Sequence, residues 1–80
     1  MTVRDIAVLC IESTNGGPLA YQFAASFDSG SVGGLNIGAA IEIHKTVRDL
    51  VRSGALSETS TDVLNQYLRQ LELRLFADRQ

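Results

Sequence analysis

The chain has 80 residues, of which 45% are hydrophobic and 20% are charged. This composition is typical of a globular domain and excludes a disordered chain, which has fewer apolar residues and a larger net charge. Seven Lys and Arg against nine Asp and Glu give a net charge of −2, so we expect little general attraction to nucleic acid or to anionic membranes. At this length we predict a single domain over residues 1–80.

Only one cysteine and one histidine are present, which excludes an intrachain disulfide and leaves too few ligands for a closed zinc site. A domain of this size buries a small core, so association with another chain is the remaining means of stabilising it. Met1–Asp5 lacks the basic segment that begins a signal peptide, and the longest apolar run, Ile6–Ile11, is too short to cross a bilayer. We therefore expect a cytoplasmic protein with no membrane segment, no cofactor, no metal and no catalytic residues.

The first third of the chain predicts a β-hairpin. A strand is predicted over 3–12, because Ile6–Ile11 is a short apolar run with several β-branched residues. Asn15 and Gly16 supply a tight turn, and alternating apolar and polar residues predict a second strand over 19–27. We expect the two strands to pair antiparallel, and the sheet could be extended by a short third strand or by a strand of a partner.

A glycine-rich connector is predicted over 28–36, and two amphipathic helices follow it. The first helix is predicted over 37–52, because Asn36 is a favourable N-cap and a serine and a glycine follow Arg52. The second helix is predicted over 60–77, after a segment rich in serine, threonine and acidic residues that cap helix starts. The predicted fold class is therefore α+β, a small α/β domain with the element order ββαα.

Both predicted helices have apolar faces that are wider than one small monomer readily buries. On the first helix, Ile37, Ile41 and His44 widen the apolar stripe to roughly half of the circumference. On the second helix, Leu73 and Phe76 lie more than ~80° away from the main stripe. An aromatic or arginine residue beside such a patch is typical of an interface. The predicted interface consists of Ile37, Ile41, His44, Leu73, Phe76 and Arg69.

The leading functional prediction is a small, non-enzymatic protein–protein interaction module that acts as a homodimer. Its expected kind is an adaptor, an inhibitor or other regulatory protein, or an assembly subunit, with a protein partner of unknown identity. Lys45, Arg48 and Arg52 share one side of the first helix and form a basic stripe that would face such a partner. Weak nucleic-acid binding through this stripe is an alternative, which the lack of interleaved aromatic residues disfavours.

A second alternative places a small anionic ligand or a nucleotide at the glycine-rich connector. Glycines between a strand and a helix can bring backbone N–H groups to a phosphate, and Gly30, Gly33 and Gly34 would form this ligand loop. The segment has no Gly-Lys-Ser or Gly-Lys-Thr, and its glycine spacing is not that of a dinucleotide site. A flexible connector that packs closely on its neighbours is the favoured interpretation.

Overall fold

The computed structural model describes residues 1–78 and folds them into four α-helices. The helices are α1 Val3–Asn15, α2 Gly17–Ser29, α3 Ile37–Arg52 and α4 Glu58–Asp78. No strand is present among these 78 residues. The predicted α+β fold, and with it the small α/β domain, is therefore wrong, because α1 and α2 occupy the segments that were predicted as strands over 3–12 and 19–27.

The start of α1 is stabilised by two reciprocal hydrogen bonds between Thr2 and Asp5. The Thr2 hydroxyl accepts a hydrogen bond from the Asp5 backbone N–H at 3.2 Å, and the Asp5 carboxylate accepts one from the Thr2 N–H at 3.4 Å. This reciprocal pair is a capping box, which satisfies N–H groups that a helix start otherwise leaves free. Ala7 and Ile11 stand four residues apart and are fully buried, so the apolar run belongs to a helix with one buried face.

The predicted hairpin turn joins two helices instead of two strands. Gly16 ends α1 with a φ of +99°, and its N–H donates to the Glu12 carbonyl oxygen at 3.0 Å. Pro18 lies in the first turn of α2, where a helix has no use for the missing N–H. Along α2, Phe23 and Phe27 point to the core at a spacing of four residues, which the alternating pattern of the sequence concealed.

The connector between α2 and α3 packs on the core. α2 extends to Ser29, so the predicted connector 28–36 begins two residues too early, and Val32 and Leu35 within it are buried. The Asn36 side chain accepts a hydrogen bond from the Ala39 N–H at 2.7 Å. α3 then has the bounds that the sequence predicts, 37–52.

The second predicted helix is also present, with a start two residues earlier than the predicted 60–77. The Ser57 hydroxyl accepts a hydrogen bond from the Ser60 N–H at 3.2 Å and caps the first turn of α4. α1 packs against α2 and α3, and α3 packs against α4. The largest fully buried side chains come from all four helices: Ile11, Phe23, Ile43, Val47, Leu64 and Leu71.

α2 and α4 meet through three aromatic rings and one buried polar pair. The ring centroid of Tyr67 lies 5.1 Å from that of Phe23 and 5.8 Å from that of Phe27. The Tyr67 hydroxyl lies 2.6 Å from the Ser26 hydroxyl, which in turn donates to the Phe23 carbonyl oxygen at 2.9 Å. Burial raises the pKa of Tyr67 above its ordinary value of 10.0, against a smaller lowering by the Ser26 hydrogen bond.

We expect Tyr67→Phe to lower the free energy of unfolding by about 1–2 kcal/mol at pH 7, because Ser26 loses a buried partner. The raised pKa adds a pH dependence of known sign: above pH 10.0 the unfolded chain loses the phenol proton before the folded chain does. The stabilisation that comes from burying the neutral Tyr67 phenol is therefore fully present below pH 10.0. It is lost as the pH rises through the higher pKa of Tyr67 in the folded state. Urea unfolding at pH 7 and at about pH 10.5 measures both effects.

Tyr21→Phe is the control, because Tyr21 lies on α2 and is 77% exposed. The advantage of the wild type over Tyr67→Phe should shrink at the higher pH, while the small difference between the wild type and Tyr21→Phe should stay unchanged. Equal stability of the wild type and Tyr67→Phe at pH 7 would contradict the buried hydrogen bond.

Candidate functional site

The outer sides of α3 and α4 form a groove with an apolar end. A cavity of about 350 Å³ there is lined by Ile41 and His44 from α3 and by Glu72, Leu75 and Phe76 from α4. The early part of α3 thus lies beside the late part of α4, so the two helices run antiparallel. We call this cavity and its rim the apolar end of the α3–α4 groove.

Two further apolar residues extend this end. Ile37 lies one turn before Ile41 on α3, and Leu73 lies three residues before Phe76 on α4, so each is the neighbour of a cavity-lining residue on its own helix. The exposed fractions are 43% for Ile37, 49% for Ile41, 66% for Leu73 and 61% for Phe76. Four of the eight large apolar residues that are exposed among the described residues therefore line this cavity or neighbour a residue that does.

His44 and Glu72 mark the middle of the groove. The His44 Nε2 lies 3.8 Å from the Glu72 Oε1, and the imidazole is four-fifths buried. This distance fits a weak ion pair when the imidazole is protonated. Sequence reasoning missed Glu72, although its position four residues before Phe76 places it on the same side of α4.

The other end of the groove is basic. A second cavity, of about 340 Å³, also includes His44 and Glu72 in its lining and continues to Arg48 and Arg52 on α3 and to Arg69 on α4. We call it the basic end of the α3–α4 groove. Arg69, which was predicted to belong to the interface with Leu73 and Phe76, therefore lies beside the arginines of the basic stripe.

The predicted basic stripe is divided in the structure. Arg48 and Arg52 line the basic end, whereas Lys45 lines a different cavity of about 330 Å³ between α1 and α3, together with Glu42 and Asp49. Lys45 thus faces two carboxylates of its own helix. The basic group that α3 and α4 assemble consists of Arg48, Arg52 and Arg69.

The predicted ligand loop follows a helix instead of a strand, and two of its N–H groups already have acceptors. Gly30 ends α2 with a φ of +71°, and its N–H donates to the Phe27 carbonyl oxygen at 3.3 Å. The Gly33 N–H donates to the Ser31 hydroxyl at 3.4 Å, and Gly34 has open space around it. A helix replaces the preceding strand on which this alternative depended, so we do not carry it further.

Within residues 1–78, no group of three or more His, Cys, Asp or Glu side chains is placed to hold a metal ion. A search of the same part of the chain for a helix with the length and hydropathy of a membrane span found none. No protein-family model, curated protein or solved structure matches the chain.

Proposed function

We propose that the protein is a self-associating protein–protein interaction module and that the apolar end of the α3–α4 groove is the contact between two copies. The observation that carries this proposal is the cluster of exposed large apolar side chains in and beside the cavity at this end of the groove. Contact with a second copy would remove this surface from water at a gain of roughly 25 cal/mol per Å². The cluster consists of Ile37, Ile41, Leu73 and Phe76.

A second copy suits this surface because a two-fold interface brings a patch against itself, and an apolar patch is complementary to itself. The cavity at this end has two polar lining residues, His44 and Glu72, whose Nε2 and Oε1 lie 3.8 Å apart within one copy. When the imidazole is protonated the two form an ion pair, and two apolar ends can then meet without placing an unpaired charge in the contact.

The basic ends favour an antiparallel arrangement of the two grooves. Arg52 lies 11 residues after Ile41, which is about 16 Å along α3. If the grooves met in parallel, the three arginines of each copy would face one another, at a cost from like-charge repulsion. The antiparallel arrangement directs the two basic ends away from each other and leaves both open.

The expected affinity is moderate. α3 has 16 residues and is about 24 Å long, and two packed helices of that length give a face roughly 20 Å wide. Because the contact leaves the basic end of this face open, it buries less area than most specific interfaces do, and we expect a dissociation constant of about 10–100 µM.

We also propose the cytoplasm as the compartment. One cysteine cannot form an intrachain disulfide, and proteins of the reducing cytoplasm rarely contain disulfides.

Sedimentation equilibrium of the wild type from about 5 to about 500 µM tests the proposal, because this range spans the expected dissociation constant. We expect the mean mass to rise with concentration from the chain mass of 8.6 kDa towards twice that value. A mean mass that stays at 8.6 kDa over the whole range would contradict self-association.

A further inference from the structure

We propose that the basic end of the α3–α4 groove binds acidic side chains of a different protein. Arg48 and Arg52 lie one turn apart on α3, and Arg69 reaches the same cavity from α4. Guanidinium groups bind carboxylates through two parallel hydrogen bonds, so three of them around one cavity can hold more than one Asp or Glu. This surface is separate from the proposed contact between two copies.

The arginines of the basic end have few partners within one copy. In the part of the chain that the structure describes, Arg52 and Arg69 make no ion pair and no hydrogen bond. Arg48 contacts only the carboxylate of its neighbour, with Nη2 3.7 Å from the Asp49 Oδ1. The Arg48 Nε is shielded from solvent and has no acceptor among the described residues. The Arg48 side chain as a whole is 41% exposed, so an incoming carboxylate can reach the guanidinium group from the solvent side.

The charge balance of the cavity favours an acidic ligand. Of the side chains that the structure places in its lining, Glu72 is the one carboxylate, against three arginines. Arg48 and Arg52 are also like charges at a four-residue spacing, which destabilises a helix slightly. A bound acidic group reduces this repulsion.

Three features favour a protein segment over a nucleic acid. The cavity is lined partly by Val51 and Leu68, which offer contact to an apolar side chain next to the acidic ones. Among the described lining residues, His44 has the one aromatic ring, and its side chain is four-fifths buried, so little ring surface is open for a base to stack on. The net charge of −2 also disfavours a polyanion. The expected ligand is a segment in which Asp or Glu residues alternate with apolar residues.

Fluorescence anisotropy with a labelled peptide, Glu-Glu-Leu repeated three times, tests the inference at about 20 mM salt, where charge interactions are weakly screened. The variant is Arg69→Gln, and the matched control is Lys45→Gln, which removes the same charge from a residue of the α1–α3 cavity. We expect Arg69→Gln to weaken peptide binding about tenfold and Lys45→Gln to weaken it less than about twofold, as general attraction would. Sedimentation of both variants should match the wild type, so a failure here is distinguishable from a failure of self-association.

Four results would overturn the inference. The first is no peptide binding up to about 1 mM protein, which is the weakest affinity of interest. The second is an equal effect of Arg69→Gln and Lys45→Gln, which would show general charge attraction. The third is displacement of the peptide by inorganic phosphate at about equal concentration, which would show a free-anion site. The fourth is tighter, Arg69-dependent binding of single-stranded DNA of the same charge, which would show a nucleic-acid surface.

Discussion

Phe23→Ala is expected to cause the largest loss of stability among the substitutions considered, about 3–5 kcal/mol. Phe23 is fully buried, and its ring contacts the rings of Phe27 and Tyr67 at centroid distances of 5.5 and 5.1 Å. Truncation of a buried phenylalanine costs about 3–5 kcal/mol. Domains have about 0.05–0.15 kcal/mol of stability per residue, which is about 4–12 kcal/mol for a chain of 80 residues, so the substitution removes at least a quarter of the stability.

Urea unfolding followed by circular dichroism measures this loss. Tyr21→Ala is the matched control, because it truncates another aromatic side chain of α2 that is 77% exposed. We expect the control to change the free energy of unfolding by less than about 1 kcal/mol. If Phe23→Ala were as stable as Tyr21→Ala, this result would contradict the packing of Phe23 between α2 and α4.

Phe76→Ser is expected to weaken self-association by about 30- to 1,000-fold. Full burial of a phenylalanine side chain contributes about 1.5–3 kcal/mol, and Phe76 is 61% exposed in one copy, so about 1–2 kcal/mol per copy is available to the contact. A two-fold interface contains the substitution twice, which doubles the loss to about 2–4 kcal/mol per dimer.

Sedimentation equilibrium of Phe76→Ser beside Tyr21→Ser measures this effect. Both variants remove an exposed aromatic ring, but Tyr21 lies on α2, outside the α3–α4 groove. We expect Tyr21→Ser to dimerise as the wild type does and both variants to keep nearly the stability of the wild-type monomer. Equal loss of dimer in the two variants would indicate non-specific association, and no loss in Phe76→Ser would remove this residue from the contact.

The second half of the fold could be predicted from the sequence because its local signals agree with one another. Asparagine is a favourable N-cap residue, and in the structure the Asn36 side chain accepts a hydrogen bond from the Ala39 N–H and caps α3. The apolar residues of α3 also repeat at helical spacing, so end signals and periodicity give the same bounds.

The prediction for the first half of the fold is wrong because the same residues fit two patterns. A short run of β-branched and other apolar residues fits a buried strand or one face of a helix. The deciding signals were Thr2 and Asp5, which form the capping box, and Gly16 and Pro18, which end one helix and begin the next. Gly16 fits the turn of a β-hairpin. A glycine just after one helix and a proline just inside the next are equally typical of two consecutive helices.

Only part of the groove follows from the sequence. A helical wheel places Leu73 and Phe76 away from the main stripe of α4, and the structure leaves both exposed. A wheel cannot show which residues of two helices meet, because that depends on how the helices pack. The meeting of Arg69 with Arg48 and Arg52 therefore appears only in three dimensions.

The most direct test of self-association through the apolar end of the α3–α4 groove is a dilution series of ¹H–¹⁵N correlation spectra. The series runs from about 1 mM down to about 10 µM, which spans the expected dissociation constant. We expect the amide signals that move or broaden to belong to the outer side of α3 and α4, around Ile37, Ile41 and Phe76. Spectra that do not change with concentration, or changes centred on the exposed Leu9 and Tyr21 of α1 and α2, would contradict it.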